Sequence, residues 1–299
     1  MKHRYKTAAV VLLALALLVL LLPGRSLRPE GFSLTALDVG QGDAFLLSAD
    51  GFNVLIDAGG RPTDATGAAE YVVIPYLKAQ GIGRLDLALN THPDIDHIGG
   101  IFAVLDEIPV KQLAVFRGYV NNDLQEQLLQ LAAHKDVAVL SVAAGDVFQF
   151  SENFSVRVLS PPAGAQFAAD MVNNGSLVLQ ISYQDFDVLL TGDLPGEQLL
   201  AAATALDCAD IEVLQLPHHG SRYSYDEEWY AGFAPQAVLI SVGRDNSFGH
   251  PGAEVVDYWQ RRGVQIWRTD LHGSCRISYQ NGQAWYESVI SAEPPAFVP

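Results

Sequence analysis

Cysteine and nucleotide-binding motifs are both scarce in this chain of 299 residues. Its two cysteines, Cys208 and Cys275, lie far apart, so they form neither a zinc-finger pattern nor a disulfide framework. We expect two buried thiols, with one disulfide bond as the alternative if the chain is exported. A Walker sequence and a G-x-G-x-x-G turn after a predicted strand are also missing, which argues against the common nucleotide-binding folds.

Positive charge is scarce outside the first 30 residues. Residues 31–299 carry 13 Lys and Arg side chains and 33 Asp and Glu side chains, a net charge of −20, compared with −16 for the whole chain. A body this acidic repels nucleic acid in general. The composition therefore argues against a broad DNA-binding surface, but it leaves room for a phosphodiester held by metal ions or a few local cations.

Long apolar runs are limited to one, residues 8–22, which follows a basic start at residues 1–6. Its length suits the hydrophobic region of a signal peptide and is short for a membrane span. We expect residues 1–30 to form an N-terminal hydrophobic helix with a linker, and residues 31–299 to form the main domain. With the basic flank in the cytoplasm, this domain lies outside the membrane, either anchored to it or secreted after cleavage.

Metal-binding residue types are concentrated in residues 91–100, where four of them fall within six positions: His92, Asp94, Asp96 and His97. Apolar residues before them predict a buried strand over 85–89, and a helix is predicted over 97–105 with Asp96 as its cap. Divalent cations take imidazole and carboxylate ligands. A loop at the carboxyl end of a strand can direct several such groups at one point, so the stretch predicts a metal site.

Two further segments carry similar groups directly after predicted strands. Asp193 either binds metal or caps the helix that follows it. His218 and His219 are adjacent, and neighbouring residues do not easily face the same metal. We therefore assign the ligand role to His219 and a contact with the substrate, or with the ligands, to His218.

The predicted strands and helices alternate irregularly, with hairpin signals such as Asp50-Gly51. This mixture excludes a purely alternating βαβ fold. It fits the α+β class, with two mixed sheets packed face to face and helices on the outside.

The sequence His-x-Asp-x-Asp-His resembles a variant signature of the metallo-β-lactamase superfamily that is found in the hydrolase domain of the ComEC/Rec2 competence proteins; most of the superfamily has His-x-His-x-Asp-His. Five further stretches are similar to that family and follow its order: residues 38–43, 55–60, 173–179, 190–193 and 217–221. The resemblance covers about residues 31–290. It implies an αββα sandwich with a metal site at one edge, and a metal-dependent hydrolase.

The resemblance also implies two divalent metal ions, whose ligands would be His92, Asp94, Asp96, His97, Asp193 and His219. His92 and Asp94 would face the first metal, Asp96 and His97 the second, and Asp193 both. Asp94 replaces a histidine, and the usual third histidine has no clear counterpart, so Asn174 or water would complete the first site. Zn or Mn is the expected metal, with Mn or Mg possible in the oxygen-rich first site.

The remaining candidates surround these ligands. Asp57, at the end of a strand, is expected to hold the metal loop from behind. Ser221 and Arg222 are expected beside the substrate, where Arg222 would pair with a phosphate. His250, in a stretch that resembles a late family motif, would protonate the leaving oxygen or be an ordinary loop histidine. With His218 and Asp96, it makes up the expected catalytic group.

We expect a metal-dependent hydrolase, most specifically a phosphodiesterase or nuclease that acts on DNA outside the membrane, with water activated between the two metals as the nucleophile. One alternative is a phosphodiesterase for a cell-envelope or small-molecule substrate. Another is a non-catalytic, membrane-tethered partner of a DNA-uptake channel. The expected partners are nucleic acid or another phosphodiester, the membrane, and such a channel. A serine nucleophile is not expected, because the serines of the candidate stretches lack a strand–turn–helix elbow.

Overall fold

The computed structural model describes residues 31–61, 63–206 and 210–290. The hydrophobic helix predicted within residues 1–30, and Cys208, lie outside the described residues. Within the described ranges, no helix combines the length and the apolar character needed to span a membrane. Cys275 is a buried free thiol, and burial raises its pKa to about 12.

Strands of the described chain build two sheets. In chain order they are β1 (Phe32–Ala36), β2 (Phe45–Ala49), β3 (Phe52–Ile56), β4 (Leu87–Asn90), β5 (Gln112–Val115), β6 (Ala138–Ser141), β7 (Val147–Gln149), β8 (Phe154–Ser160), β9 (Val178–Tyr183), β10 (Phe186–Leu190), β11 (Val213–Gln215), β12 (Ala237–Ile240), β13 (Gln265–Arg268), β14 (Cys275–Gln280) and β15 (Gln283–Ser288).

Helices connect these strands. They are α1 (Ile74–Ala79), α2 (Ile95–Glu107), α3 (Asp123–His134), α4 (Gly196–Ala203), α5 (Glu227–Ala231) and α6 (Ala253–Arg261). A π-helical turn, Ala69–Val73, leads into α1. Single helical turns lie at Val172–Gly175, Pro217–Gly220, Arg222–Ser224 and Thr269–His272.

The first sheet has the strand order β15-β14-β1-β2-β3-β4-β5-β6, and the second has the order β13-β12-β11-β10-β9-β8-β7. In the first sheet the strands from β3 to β6 are parallel, and in the second those from β10 to β13 are parallel. Parallel strands end at the same edge of their sheet. The loops after β4, β10 and β11 carry the candidate site residues at these edges.

Three apolar layers hold the sheets and helices together. Between the sheets, the ring of Phe32 packs against those of Phe154 and Phe186, with centroids 6.1 and 6.0 Å apart. A second layer lies between the first sheet and α1, α2 and α3, and a third between the second sheet and α4, α5 and α6. This arrangement is the αββα sandwich that the sequence predicts.

Local sequence explains two details near the site. Asp50 and Gly51 both have positive φ, 50° and 86°, as a two-residue hairpin turn between β2 and β3 requires, so the predicted hairpin is confirmed. The predicted cap of α2 is wrong. The cap is Asp94, whose Oδ1 accepts a hydrogen bond of 2.7 Å from the N–H of Ile95, while Asp96 lies in the first turn and faces the site.

Candidate metal centre

Four side chains that lie just after three strands, one in the first sheet and two in the second, converge on one another. His92 follows β4, His97 lies in the first turn of α2, Asp193 follows β10 and His219 follows β11. Asp193 Oδ1 lies 3.3 Å from His97 Nε2. Its Oδ2 lies 3.6 Å from His219 Nε2 and 4.0 Å from His92 Nε2. With His218 Nε2, which lies 3.7 Å from Oδ2, one carboxylate therefore faces four imidazoles. It does not cap α4, because the residue at that position is Pro195.

Asp96 forms a second group with two of the same imidazoles. Its Oδ2 lies 3.4 Å from His219 Nε2, and its Oδ1 lies 4.0 Å from His97 Nε2. Asp96 is half-buried, whereas both histidines are buried. The described donors form four overlapping groups of three: His92, His97 and Asp193; Asp96, His97 and His219; Asp43, Asp57 and His97; and Asp43, Asp193 and His219.

The atoms that face one another in these clusters lack hydrogen-bond partners. They are His92 Nε2, His97 Nε2, His219 Nε2 and Asp193 Oδ1, and all are buried. Buried polar atoms in folded proteins nearly always have a partner. Imidazole nitrogens and carboxylate oxygens left unpaired at one point are the donor set that divalent zinc or manganese takes. The residues present therefore fit the metals that the sequence predicts, although the donors alone do not distinguish Zn from Mn.

A buried network behind the site fixes the orientation of the histidines. Asp57 accepts hydrogen bonds from Asn90 Nδ2 at 2.9 Å, from the Thr91 N–H at 2.8 Å and from His97 Nδ1 at 2.9 Å. His92 Nδ1 lies 3.0 Å from Thr91 Oγ1. The position of Asp57 is the one expected from the sequence, and its contact leaves His97 Nε2 free to bind metal.

Asp43 is a carboxylate of the site that the sequence reasoning missed. It is buried, its Oδ2 accepts a 2.7 Å hydrogen bond from Gln215 Nε2, and its Oδ1 lies 3.5 Å from His219 Nδ1. His219 Nδ1 donates to the carbonyl of Ser241 at 2.8 Å. The sequence does contain a pointer to Asp43, because this residue ends the glycine-containing turn of residues 38–43. Such a turn, however, is typical of a surface loop and does not by itself indicate a buried site residue.

The glycine turn packs directly on the metal loop. A Cβ atom at Gly42, where φ is +128°, would lie 2.2 Å from the carbonyl oxygen of Asp96. Asp43 N donates to the same oxygen at 3.2 Å. The glycine turn and the metal loop thereby hold Asp43 and Asp96 on either side of His219.

The centre contains several buried carboxylates beside buried histidines, and their charges shift one another's pKa values. Burial alone would raise the pKa of Asp193, but His219 and His97 hold it well below its usual value. Burial likewise opposes protonation of His97, but the carboxylates around it, Asp193 first, raise its pKa well above the usual value. Buried carboxylates this close together are stabilised by positive charge, which protons or metal cations can supply.

His218 and His219 separate because both adopt left-handed backbone conformations, with φ of 50° and 56°. Residues other than glycine rarely adopt this conformation, and a pair of them stores strain near a functional site. His219 points inward and is buried. The side chain of His218 is 31% exposed, with Nε2 3.7 Å from Asp193 Oδ2. The adjacent histidines therefore occupy the interior and the rim of the same centre.

An open cavity of about 910 Å³ leads to the donors, and His218 and His250 line it. The two rings lie 5.5 Å apart. Half-burial of His250, together with the neighbouring His218 and His219, lowers its pKa to about 4. His250 thus lies beside the donors and in the cavity, as the predicted role requires, but a pKa of about 4 leaves its ring mostly neutral near pH 7, which weakens that role as a proton donor.

Comparison with known proteins agrees with this geometry. The family model described as the metallo-β-lactamase superfamily matches residues 37–119. The solved structure of CmlA, a diiron β-hydroxylase from Streptomyces venezuelae, superposes with a TM-score of 0.52 at 15% identity, over 84% of this chain and 55% of that one. The chain has a metallo-β-lactamase fold.

Relatives of this metallo-β-lactamase domain are competence proteins. It is 34% identical over 267 residues to ComE operon protein 3 of Bacillus subtilis, a match that covers 85% of this chain and 34% of the relative. It is 29% identical over 273 residues to Competence protein ComA of Neisseria gonorrhoeae, over 88% of this chain and 36% of the relative. The chain thus spans about a third of the length of these relatives. The fold is that of metal-dependent hydrolases.

Two residues predicted for the first metal of the metallo-β-lactamase centre lie apart from the clustered donors. Asp94 lines the cavity, but it is not among the described side chains whose donor atoms lie within 4.8 Å of one another. Burial and then Asp96 raise its pKa. Asn174 lies in the helical turn Val172–Gly175, and the cavity is lined instead by its neighbour Asn173, whose buried Oδ1 has no partner.

Ser221 and Arg222, predicted beside the substrate, lie at the outer side of the site. Ser221 is buried, and its Oγ accepts a 3.3 Å hydrogen bond from the N–H of Tyr223, which caps a helical turn. Arg222 is exposed, and the residues that line the cavity do not include it. The contact between Arg222 and a substrate phosphate stays a prediction.

Proposed function

We propose that the chain is a metal-dependent phosphodiesterase that cleaves DNA outside the membrane. The observation that carries this proposal is the set of buried, unpartnered imidazole and carboxylate atoms around Asp193, which opens into a cavity large enough for a polymer end or loop. The name of one relative, Competence protein ComA, supports DNA as the substrate, since competence is the uptake of DNA.

Divalent ions held by these side chains would polarise a phosphoryl oxygen and lower the pKa of the attacking water. The protein's own contribution is orientation. Asp57 fixes His97, and the Ser241 carbonyl fixes His219. His218 at the rim can donate a hydrogen bond to a phosphoryl oxygen. His250 lies where it could deliver a proton to the leaving oxygen, but with a pKa of about 4 only its small charged fraction could do so at neutral pH.

The acidic body favours a second candidate, a phosphodiesterase for a small or cell-envelope substrate. Residues 31–299 have a net charge of −20, which repels long polyanions but has less effect on a single phosphodiester. A non-catalytic partner of a channel is a weaker candidate, because a binding module has no need for a cluster of buried, unpaired metal donors.

The proposed place of action follows from the start of the sequence. A basic segment followed by the apolar run of residues 8–22 would keep the domain at the outer face of a membrane. There a DNA-uptake channel is the proposed partner. A reporter enzyme that is active only after export, fused after Pro299, tests this orientation; activity of a cytoplasmic reporter would contradict it.

The experiment for the reaction uses the full chain in detergent, stripped of metal and reloaded with Mn²⁺, Zn²⁺ or Mg²⁺. Single-stranded DNA, duplex DNA, RNA and bis(p-nitrophenyl) phosphate are the substrates. His97→Gln should abolish metal-dependent turnover of all of them. The matched control is His134→Gln, since His134 is an exposed histidine on α3.

The outcomes separate the candidates. Turnover of DNA supports the nuclease. Turnover of the small diester without any cleavage of DNA supports the second candidate. No turnover with any metal, in a chain that is folded and binds metal, would overturn the enzymatic proposal.

A further inference from the structure

The cavity extends well beyond the metal donors, between two segments from opposite halves of the chain. Arg61 and Tyr71 line the cavity and come from the segment between β3 and α1. Arg244 and Phe248 also line it and come from the segment between β12 and α6. None of these four side chains belongs to the donor clusters. Its volume of about 910 Å³ is near the top of the range of roughly 300–1,000 Å³ found for small-ligand sites.

Two large aromatic rings stand in solvent at this cavity. The exposed fraction is 78% for Tyr71 and 65% for Phe248. Single exposed apolar side chains are common and need no explanation, but these two line one cavity, although they come from segments far apart in the sequence. The Phe248 ring is nearly parallel to that of His250, with an interplanar angle of 14° and centroids 5.9 Å apart. Phe248 therefore stacks on His250, a ring that lies beside the metal donors.

The loop that carries Phe248 is internally fixed. Asn246 Nδ2 donates to the carbonyls of Gly243 and His250 at 3.0 and 2.7 Å. Asn246 Oδ1 accepts from the N–H groups of Phe248 and His250, both at 3.1 Å. One side chain thus uses its full hydrogen-bonding capacity to hold the loop. The exposed Phe248 ring is held out by an ordered scaffold, which lowers the entropy cost of binding to it.

Among the described residues, neither arginine of the cavity has a carboxylate within 4.0 Å, although Arg244 acts on the nearby Asp38: burial raises the pKa of that carboxyl, and the Gly40 N–H and Arg244 oppose the shift. Arg244 Nε donates to the backbone carbonyl of Asp270 at 3.2 Å. The guanidinium of Arg61 lies over Gly40, where a Cβ atom would be 2.7 Å from Arg61 Nη2. Among the ion pairs of lysine and arginine in the described ranges, neither appears. In a body with a net charge of −20, two arginines left unpaired at one cavity are available for an anionic ligand.

Both arginines flank the same backbone turn. Gly243, the residue before Arg244, packs so closely on Gly40 and Gln41 that a Cβ atom there would lie 2.6 Å from Gln41 N. Its N–H also donates to Gln41 Oε1 at 3.2 Å. Since Arg61 lies over Gly40, the guanidinium of Arg61 and the backbone next to Arg244 contact the same turn.

We infer that this cavity binds an unpaired nucleic-acid strand, with Tyr71 and Phe248 stacking on bases and Arg61 and Arg244 holding phosphates. The inference rests on the proposed function for its ligand class. Stacking requires base faces, which a duplex keeps covered and a single strand exposes. Two phosphate contacts are few, so most of the affinity comes from stacking, which an acidic protein can use because it does not depend on net charge.

The test measures binding, so that it does not depend on turnover. The probe is a short fluorescent oligothymidine with phosphorothioate linkages, which resists cleavage, and its counterpart has the same linkages but abasic sugars. Fluorescence anisotropy is recorded with the full Mn²⁺-loaded chain. Tyr71→Leu and Phe248→Leu should each weaken binding of the thymidine probe by about 5- to 150-fold and leave binding of the abasic probe unchanged.

The arginine variants should behave differently. Arg61→Gln and Arg244→Gln should weaken binding of both probes, and each should reduce the steepness of the dependence of log K on log salt by about 0.7. Matched controls are Trp285→Leu, a 45% exposed aromatic on the edge strand β15, and Arg261→Gln, whose Nε also donates to a backbone carbonyl.

The inference is overturned if the thymidine and abasic probes bind alike, or if the aromatic variants lose no more affinity than Trp285→Leu does. Its failure is distinct from that of the proposed function. If the chain binds the probes as expected but cleaves no phosphodiester, the strand-binding site is supported and the proposed nuclease activity is refuted. If the chain cleaves DNA but binds both probes alike, the nuclease activity is supported and the strand-binding site is refuted.

Discussion

The Nδ1–H of His97 donates to Oδ2 of Asp57 over 2.9 Å, and both side chains are fully buried. This hydrogen bond fixes the tautomer of the imidazole, so that the lone pair of Nε2 faces Asp193. Pairs of carboxylate and histidine of this kind orient metal ligands and raise their basicity.

Asp57→Asn should therefore weaken metal binding. An amide in that position can present its NH₂ group to His97 Nδ1, which favours the tautomer whose Nε2 carries the hydrogen and cannot bind metal. We expect metal affinity to fall by about 10–100-fold, as measured by competition with a chromogenic chelator. The left-handed backbone of Asp57, with φ of 54°, suits asparagine, so the far-ultraviolet circular dichroism should be unchanged.

Asp86→Asn is the matched control. Asp86 is also a buried aspartate that accepts a backbone hydrogen bond, 3.0 Å from Asn53 N, but it lies at the opposite end of the strands. The Asp86→Asn variant should be less stable than the parent chain but should bind metal with the same affinity. An equal loss of affinity in both variants would mean that the effect at Asp57 comes from general destabilisation.

Metal removal should lower the thermal stability of the domain. The buried carboxylates of the centre repel one another without cations, and a metal that binds only the folded state stabilises it. At 100 times the dissociation constant the gain is about 2.7 kcal/mol, or a rise in Tm of about 5–10 °C for a domain of this size. Calorimetry with and without chelator measures the change in Tm, and identical melting curves would argue against a metal centre.

We also expect close to one tightly held metal per chain after extensive dialysis, with a second held more loosely. Elemental analysis measures this metal content.

Asp94→His should rebuild the commoner superfamily motif and shift metal preference from Mn²⁺ toward Zn²⁺. The structure adds a cost, since Asp94 caps α2, and its loss should destabilise the domain by about 0.5–2 kcal/mol. Asp94→Asn is the control, because asparagine keeps the cap. Competition between the two metals followed by elemental analysis gives the preference. If both variants show the same preference as the parent chain, position 94 does not contact the first metal.

His250→Ala should reduce turnover without loss of metal. If His250 protonates the leaving oxygen, the rate with an alkoxide leaving group should fall by about 10²–10⁴-fold. The loss should be much smaller with a nitrophenolate, which leaves without a proton. Rates with methyl and p-nitrophenyl esters of the same nucleotide make the comparison. An equal loss with both esters would make His250 a binding residue.

Much of the fold could be predicted from local sequence patterns. The apolar run before the metal loop and the pattern after it predicted a strand over 85–89 and a helix over 97–105, and the structure has β4 at Leu87–Asn90 and α2 at Ile95–Glu107. The Asp50-Gly51 signal predicted the turn between β2 and β3. Periodicity and turn chemistry are local, so they are visible without the rest of the chain. The cap of α2 was misplaced by two residues because Asp94 and Asp96 are both good caps, and only the path of the loop separates them.

Less of the site could be predicted from the sequence, because the site depends on contacts between residues that are far apart in the chain. Asp43 approaches His219 because the first and second sheets stack, and no local pattern records that. Asn173 and Asn174 are equivalent in the sequence, and the helical turn alone decides which one lines the cavity. The same holds for Arg61 and Arg244, whose common position depends on the contact of Gly243 with the turn at Gly40.

Because β1 lies inside the first sheet, it cannot complete its pairing until a strand near the end of the chain has been synthesised. β1 pairs with β2 on one side and along its whole length with β14 on the other, and β14 begins about 240 residues later in the chain. At about 5–20 residues per second, the ribosome takes roughly 10–50 s to supply that partner. Until then, a strand whose residues are all buried in the finished domain has an unpaired edge, which is a template for aggregation. The nascent chain therefore needs to be shielded by a chaperone, or kept extended during export, until β14 has emerged.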